Sequence, residues 1–570
     1  MKKTLRFIAV ISLIALVFSI FSACGSEDDD SQRNEKRRSV KTEQREKDVK
    51  GKRPEHDGKE FTFWTIMDGL SQRAGIVDYN DMLMFKELEK ATGVHIRFMH
   101  PIAGSSGNEA FITMISSDDR AELVDFNWSA YPGGPQQAID DGVIIALNDY
   151  LKENAPNFYA CVSGDEGHFI FREGLADIET SPKYWKAQST TADGQFYGFN
   201  VLNIGTTRGF GGLYIRGDLL KKWGMGIPTN IAEWETVFAK AKSEGIQYPF
   251  SSTLDVISFN SYGAQGFNTA YGVGKGVYLE NNKVVFAPFQ PGYKEYVAKM
   301  AEWVKKGYLD PSFSTNDGET VRSHIVNNRA IASWGYIGGD LGTITPAGQK
   351  FDPNFEVVAC PFPSEADGTP SKYQMTYVEA SDRAIAITYN CGNYEKAMQW
   401  ADYFYSKEGA ILNIFGVEGY TFTKEETADR TVYTYTDRIT NYHGFNSIEE
   451  ALYYYMLPCN HPGFNQHPDY LNAYYPFQTQ KDALITWNLS SEESKKHAIP
   501  SLNFTQDELD GMLDVSYTAE APLETAINEI IRGEASIDTY DAAIAKAKPE
   551  YKTYIKIHQD AYNRYLKKMK

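Results

Sequence analysis

Three short stretches pair an aromatic ring with a carboxylate or a second ring: Trp64 with Asp68 in FTFWTIMDG, Trp128 with Tyr131 in DFNWSAY, and Trp334 with Tyr336 in ASWGY. Glu379 in YVEASDR and Tyr420 in VEGY extend the set. Flat rings offer faces for stacking, and carboxylates accept hydrogen bonds. That is the chemistry of holding a ligand rather than of breaking its bonds. The residues for bond chemistry do not assemble. There is no H-E-x-x-H, no phosphate-binding G-x-x-x-x-G-K-[ST] and no G-x-S-x-G elbow. YGVGKG has glycines without the spacing or setting of a dinucleotide loop, and the histidines show no close ligand pairing on a helix. TSPKYWKAQSTTADGQ lacks the Asp/Asn/Gly-rich run of a calcium loop. A pair of glycosidase carboxylates leaves no linear motif. Adjacent acids such as Glu449-Glu450 read as a solvated helix face. No enzyme, no metal and no cofactor are expected.

The rings must be positioned by alternating strands and helices. Phe61, Phe63 and Thr65 alternate with Thr62 and Trp64, which predicts a strand ending near Asp68-Gly69. Met82, Phe85 and Leu88 recur at helical spacing after a cap at Asn80, and Gly93 ends that helix before the strand VHIRF. Strand, helix, strand at this spacing is a βαβ unit with a parallel sheet. AELVDFNW is a third strand. Asn230 and Glu233 have capping-box spacing before a helix burying Trp234, Phe238 and Ala241. YVAKMAEWVKKG and NYEKAMQWADYF are further amphipathic helices, with Trp303 and Trp400 on their inner faces. NNRAIASWGY and SDRAIAITYN read as strands, and YKTYIKIHQDAYNRYLKKM as a final helix. The class is α/β. Arg216 and Asp218 read as a structural pair. Trp64, Asp68, Trp128, Tyr131, Trp334 and Tyr336 all fall just after predicted strands, where open α/β sheets bind ligands.

The N-terminus adds a different chemistry. Lys2, Lys3 and Arg6 precede an apolar run from Phe7 to Ala23, and Cys24 follows the small residues Ser22-Ala23. Residues 1–23 therefore read as a signal peptide, and Cys24 as a thiol acylated before cleavage, with Phe21 replacing the usual aliphatic residue. Residues 24–57 are charged and almost free of apolar side chains, a tether that cannot bury enough surface to order itself. The net charge of −18 argues against nucleic acid as a partner. Cys161, Cys360, Cys391 and Cys459 are far apart, and free buried thiols are the simpler reading. With 37 Tyr, 32 Phe and 9 Trp, there is more tyrosine than a core uses, so some belongs on a wet working surface.

DGQFYGFN followed by GLYIRGDLLKKWGMGIPTNIAEWETVFAKAK resembles the start of the second lobe in extracellular solute-binding proteins of sugar ABC importers. Asn200 stands where proline is common in that family. VKKGYLDPSF, NNRAIASWGY, YFYSKEGAILNIFGVEGY and HQDAYNRYLKK are similar, in the right order, to landmarks of its large lipoprotein subgroup. The resemblance implies a periplasmic-binding-protein-like clamshell of two α/β lobes joined by crossing hinge strands. Residues 58–192 and 328–388 would form the first lobe, and 193–327 and 389–570 the second. It implies capture of an extracellular oligosaccharide between the lobes and delivery to ABC permease subunits. The protein would be a monomer, lipid-anchored to the outer face of a bacterial cytoplasmic membrane. Trp64, Trp128, Tyr131, Trp334, Tyr336 and Tyr420 would stack on sugar rings, with Asp68 and Glu379 accepting from hydroxyls. On that reading Trp128 and Trp334 are a binding platform whose loss leaves stability unchanged. A peptide receptor, or a surface glycan binder without transport, is the alternative.

Overall fold

The computed structural model describes residues 55–102, 106–117, 119–163, 181–204, 209–261, 264–376, 380–442 and 444–569. The signal peptide, Cys24, nearly all of the tether and Glu379 lie outside the described residues. Among the described residues the strands are, in chain order, β1 Glu60–Thr65, β2 His95–Met99, β3 Leu123–Asn127, β4 Phe199–Asn203, β5 Gly211–Arg216, β6 Val277–Glu280, β7 Lys283–Phe286, β8 Ala332–Tyr336, β9 Val357–Ala359, β10 Ala380–Ile387, β11 Phe422–Glu426, β12 Thr431–Tyr435 and β13 Gly463–Asn465.

Two sheets organise two α/β lobes. The first has the order β13-β4-β10-β3-β1-β2 and is parallel except for β10, which runs antiparallel to both β3 and β4. The second is antiparallel, in the order β8-β5-β9. The predicted βαβ unit is present: β1 and β2 pair in parallel, joined through the helix Leu83–Thr92 with Gly93 in the left-handed region at its end. Asn80 is not the cap of that helix. Asp78 caps a short turn by accepting from the Asn80 N–H, and the helix begins two residues later than Asp81. Asn230 does cap its helix, accepting from Glu233 N, while Glu233 itself accepts from Thr229. Trp234, Trp303 and Trp400 are buried as their helical spacing requires.

Strand membership differs from the expected lobe boundaries. β8 pairs with β5 in register Gly211↔Tyr336 to Ile215↔Ala332, so Trp334 and Tyr336 belong to the second sheet rather than the first. β4 lies in the first sheet, and residues after β10 pack there too, with Trp400 edge-on to Phe63 at 5.6 Å. The physical reason is burial: in this pairing Leu213, Ile215 and Ala332 share one apolar core with the helices Ile231–Ser243 and Pro291–Lys306.

The chain passes between the sheets from β4 to β5, returns from β9 to β10, and crosses again after β13 through the helices Pro468–Tyr474 and Gln478–Thr486. These crossings touch one another. The Asn488 side chain accepts from Gly209 N and donates to Gly209 O, both at 2.8 Å. Trp487 Nε1 donates to Leu213 O on β5 and to Cys360 O just after β9. A Cβ at Gly209 would lie 2.7 Å from Trp487 O, and one at Gly212 would lie 2.6 Å from the Trp487 indole. Both positions therefore need glycine for close approach rather than for backbone conformation. Gly212→Ala should cost about 1–3 kcal/mol through overpacking. Urea unfolding checks this: an unchanged midpoint would show that the indole can yield.

Candidate ligand-binding site

The carboxyl ends of β1, β3, β4 and β13 and the start of β10 share one edge of the first sheet. A buried ion pair fastens that edge. Arg383 Nε and Nη2 donate to the two oxygens of Asp125 at 2.9 and 2.7 Å, and Thr65 Oγ1 adds a third bond. Burial opposes the Asp125 charge, but the Arg383 guanidinium overrides it and holds the carboxyl well below the usual carboxylate range. His461 lies beside the pair, and burial followed by Arg383 keeps its imidazole neutral.

The first-lobe rings expected to face a ligand do not. Trp64 (3% exposed), Trp128 (0%) and Tyr131 (8%) pack with Phe111 and Phe126 into an aromatic core under the helix Gly107–Ser116. After β3 the chain winds into a short 3-10 turn that folds Trp128 back over the sheet, where its Nε1 donates to Ala384 O at 3.0 Å. Tyr131 donates its hydroxyl to Asp141. Asp68 is a helix cap, accepting from Leu70 N at 2.7 Å, while its own N–H donates to Tyr79 Oη. Tyr420 is exposed, with the Arg438 guanidinium over its ring at 4.1 Å. Arg216 and Asp218 form the structural pair, bidentate and buried.

Of the expected set, the structure brings Tyr336 (48% exposed) to a cavity. Trp334 stands behind it, half-buried, with the two rings edge to face at 5.0 Å. The cavity holds about 210 Å³ and lies between the two sheets. Phe210, Tyr336, Gly338 and Gly339 wall it from the second sheet's side. Facing them, Tyr453 comes from the helix Ile448–Tyr455 and Tyr470 and Tyr474 from Pro468–Tyr474, with Tyr475, Asn460 and Gln466 beside them. The walls nearly touch at one point, where a Cβ on Gly338 would meet the Tyr474 ring at 3.0 Å. Phe210 is held by Ile337, whose N–H donates to its carbonyl. Cys459 also lines the cavity; burial pushes its thiol up to about 12, so it is neutral.

The tyrosine-rich runs ALYYYM and DYLNAYYPF carry this wall, and the tyrosine excess was the sequence signal that pointed to it. Their strand-poor surroundings hid them, since attention to strand exits passes over helices. Glu450 also departs from the solvated face read for it: it is buried and accepts from the Asn446 backbone and side chain. Cys161, Cys360 and Cys459 are free thiols.

Truncating Trp128 should therefore destabilise the free protein by about 3–5 kcal/mol, as large core rings do. Tyr336→Ala, at an exposed position, should stay within about 0.5 kcal/mol. Paired denaturation curves test the partition; a W128A protein as stable as the wild type would return Trp128 to the candidate site.

A family model described as bacterial extracellular solute-binding protein matches residues 78–411. The fructooligosaccharide ABC transporter substrate-binding protein FusA of Streptococcus pneumoniae is 25% identical over 429 residues, 71% of this chain and 70% of FusA. Among solved structures, an HMO-binding, ABC-transporter-associated solute-binding protein from Bifidobacterium longum infantis superposes with a TM-score of 0.68 at 16% identity, covering 90% of this chain and 99% of that one. FusA in complex with kestose gives 0.65 at 18% identity, covering 89% and 99%.

Proposed function

The chain belongs to the bacterial extracellular solute-binding proteins, and from that membership we propose that it captures an oligosaccharide in the cavity between its lobes and delivers it to an ABC permease. One observation carries the reading: six aromatic rings from both lobes converge on one cavity with amide side chains among them. A pyranose or furanose ring has an apolar C–H face and a rim of hydroxyls. Rings serve the first and amides and phenols the second. The relatives support the ligand class, since FusA is named for fructooligosaccharides and was solved with kestose. A peptide is the poorer fit. Its termini are charged, and the described side chains lining the cavity are aromatic, aliphatic, amide or neutral thiol.

Closure follows from the placement of the walls. A ligand touching Tyr336 and Tyr474 together makes its full set of contacts only when the lobes approach, so binding favours the closed arrangement by that difference. The converging crossings at Gly209 and Asn488 are the natural pivot. Scattering should give a smaller radius of gyration with ligand than without.

The family acts outside the cytoplasm. Anchoring through Cys24 is the finer proposal, supported by Ser22-Ala23-Cys24 after an apolar run. Two or three acyl chains, each contributing roughly 0.8 kcal/mol per buried CH₂, hold a lipoprotein firmly. Cys24→Ala should leave an uncleaved precursor or a shed protein, read by metabolic labelling with a fatty acid; normal labelling rules the anchor out.

Binding is tested by calorimetry against fructo-, xylo- and manno-oligosaccharides. A ring covered by sugar contributes a few kcal/mol, at roughly 25 cal/mol per Å² of buried apolar area. Losing about 2 kcal/mol weakens binding some thirtyfold. Tyr336→Ala and Tyr474→Ala should each weaken the bound sugar at least tenfold. Normal affinity in both variants would remove this cavity as the site.

A further inference from the structure

We infer that Gln466 is the residue that reads the ligand's hydroxyl groups in this cavity, a specificity role that rests on the cavity being the oligosaccharide site. Gln466 lines the cavity and is 3% exposed, yet its side-chain oxygen Oε1 has no hydrogen-bond partner in the structure. Its backbone is in the left-handed region, with φ 65. Glutamine gains nothing locally from that conformation, for which glycine is the undemanding residue. Of the described non-glycine residues with positive φ, Gln466 alone also carries a buried side-chain atom without a partner, a coincidence that marks a site where something outside the chain completes the bonding.

The surrounding fold does not use this side chain. On one side Asn465 sits at the end of β13, donating its Nδ2 to His461 O at 2.9 Å and to Gly463 O, while its carbonyl accepts from Ile204 N. On the other side His467 caps the helix Pro468–Tyr474, its Nδ1 accepting from Asp469 N at 3.1 Å. Burial holds His467 down to about 4, so it stays a neutral acceptor. The chain is thus pinned before and after Gln466, and the left-handed turn between the pins sets the residue in the cavity wall with Tyr470 and Tyr474.

An unpartnered amide oxygen calls for a donor. A neutral sugar hydroxyl supplies one, and if the amide were turned over the same hydroxyl would accept from the Nε2 hydrogens. The amide is uncharged, so it selects by direction rather than by field. An analogue lacking the matched hydroxyl leaves the oxygen buried and unpaired, which penalises it strongly.

The test uses the full mature chain with Gln466→Gly and Gln466→Asn, against fructo-, xylo-, manno- and alginate oligosaccharides of three to five residues. The best ligand is then compared with its monodeoxy analogues. Gln466→Gly relieves the left-handed backbone, so its melting temperature should equal or exceed that of the wild type while affinity falls at least tenfold. One monodeoxy analogue should bind the wild type at least tenfold more weakly than the parent sugar, yet bind the glycine variant about as well as the parent does. Gln466→Asn, which tolerates the backbone but withdraws the amide, should fall between the two proteins in affinity. A glycine variant that binds within twofold of the wild type overturns the inference and leaves the carbohydrate reading standing. So does an asparagine variant with full affinity and an unaltered deoxy profile. A wild type that binds no oligosaccharide of the panel overturns the carbohydrate reading and this inference together.

Discussion

Gly209 lies where three crossings of the chain meet, with the Trp487 carbonyl and the Met375 carbonyl close enough to exclude a Cβ and the Asn488 amide bonded to both of its backbone groups. Gly209, Met375 and the Trp487-Asn488 pair belong to three different passages between the sheets. Two separately folded lobes could sit at many angles if one strand joined them. Three passages in mutual contact, fastened by the Trp487 indole on Leu213 and Cys360, leave far fewer. The cavity inherits its width from that junction, because Phe210 is the next residue along and its carbonyl is held from Ile337.

Behind the cavity the first sheet must hold its shape without a ligand. Among the described residues β10 is the one antiparallel strand of that sheet, and it returns the chain from the other lobe. The Asp125–Arg383 pair ties it to β3 at the edge formed by the carboxyl ends of the parallel strands. A buried pair of this kind adds little net stability, but breaking it by removing one partner costs about 3–5 kcal/mol. Its main consequence is to fix register, since slipping β10 by one residue would bury Arg383 against the aromatic core around Trp128.

Aromatic residues divide by type between core and cavity. The tryptophans at 128, 185, 234, 303, 400 and 487 are all fully buried, while the cavity is walled mainly by tyrosine. Tyrosine suits a wall that is dry on one side and wet on the other, because its ring packs while its hydroxyl meets water or ligand. Placing that wall on helices has a further effect. Tyr470 and Tyr474 lie one turn apart with centroids 5.2 Å from each other, giving a continuous surface that alternating strand residues cannot offer.

Local patterns determined much of this protein. Apolar alternation located β1, β3, β8 and β10, helical spacing buried Trp234, Trp303 and Trp400, and Gly93 ended its helix as a left-handed cap, because periodicity and caps act over a few residues. The α/β class and the two-lobed family were legible for the same reason, through many local landmarks in order. Which ring faces a ligand was not. Trp128 and Tyr336 have the same sequence signature, a ring at a strand exit. Yet one turns back under the helix Gly107–Ser116 and the other projects into the gap between lobes. Only tertiary structure separates them, because exposure depends on what packs above a strand end, and that comes from other elements: the helix Gly107–Ser116 and Ala384 over Trp128, and nothing comparable over Tyr336 among the described residues. The pairing of β8 with β5, the meeting of Gly209 with Trp487, and the unpartnered oxygen of Gln466 are decided at the same level.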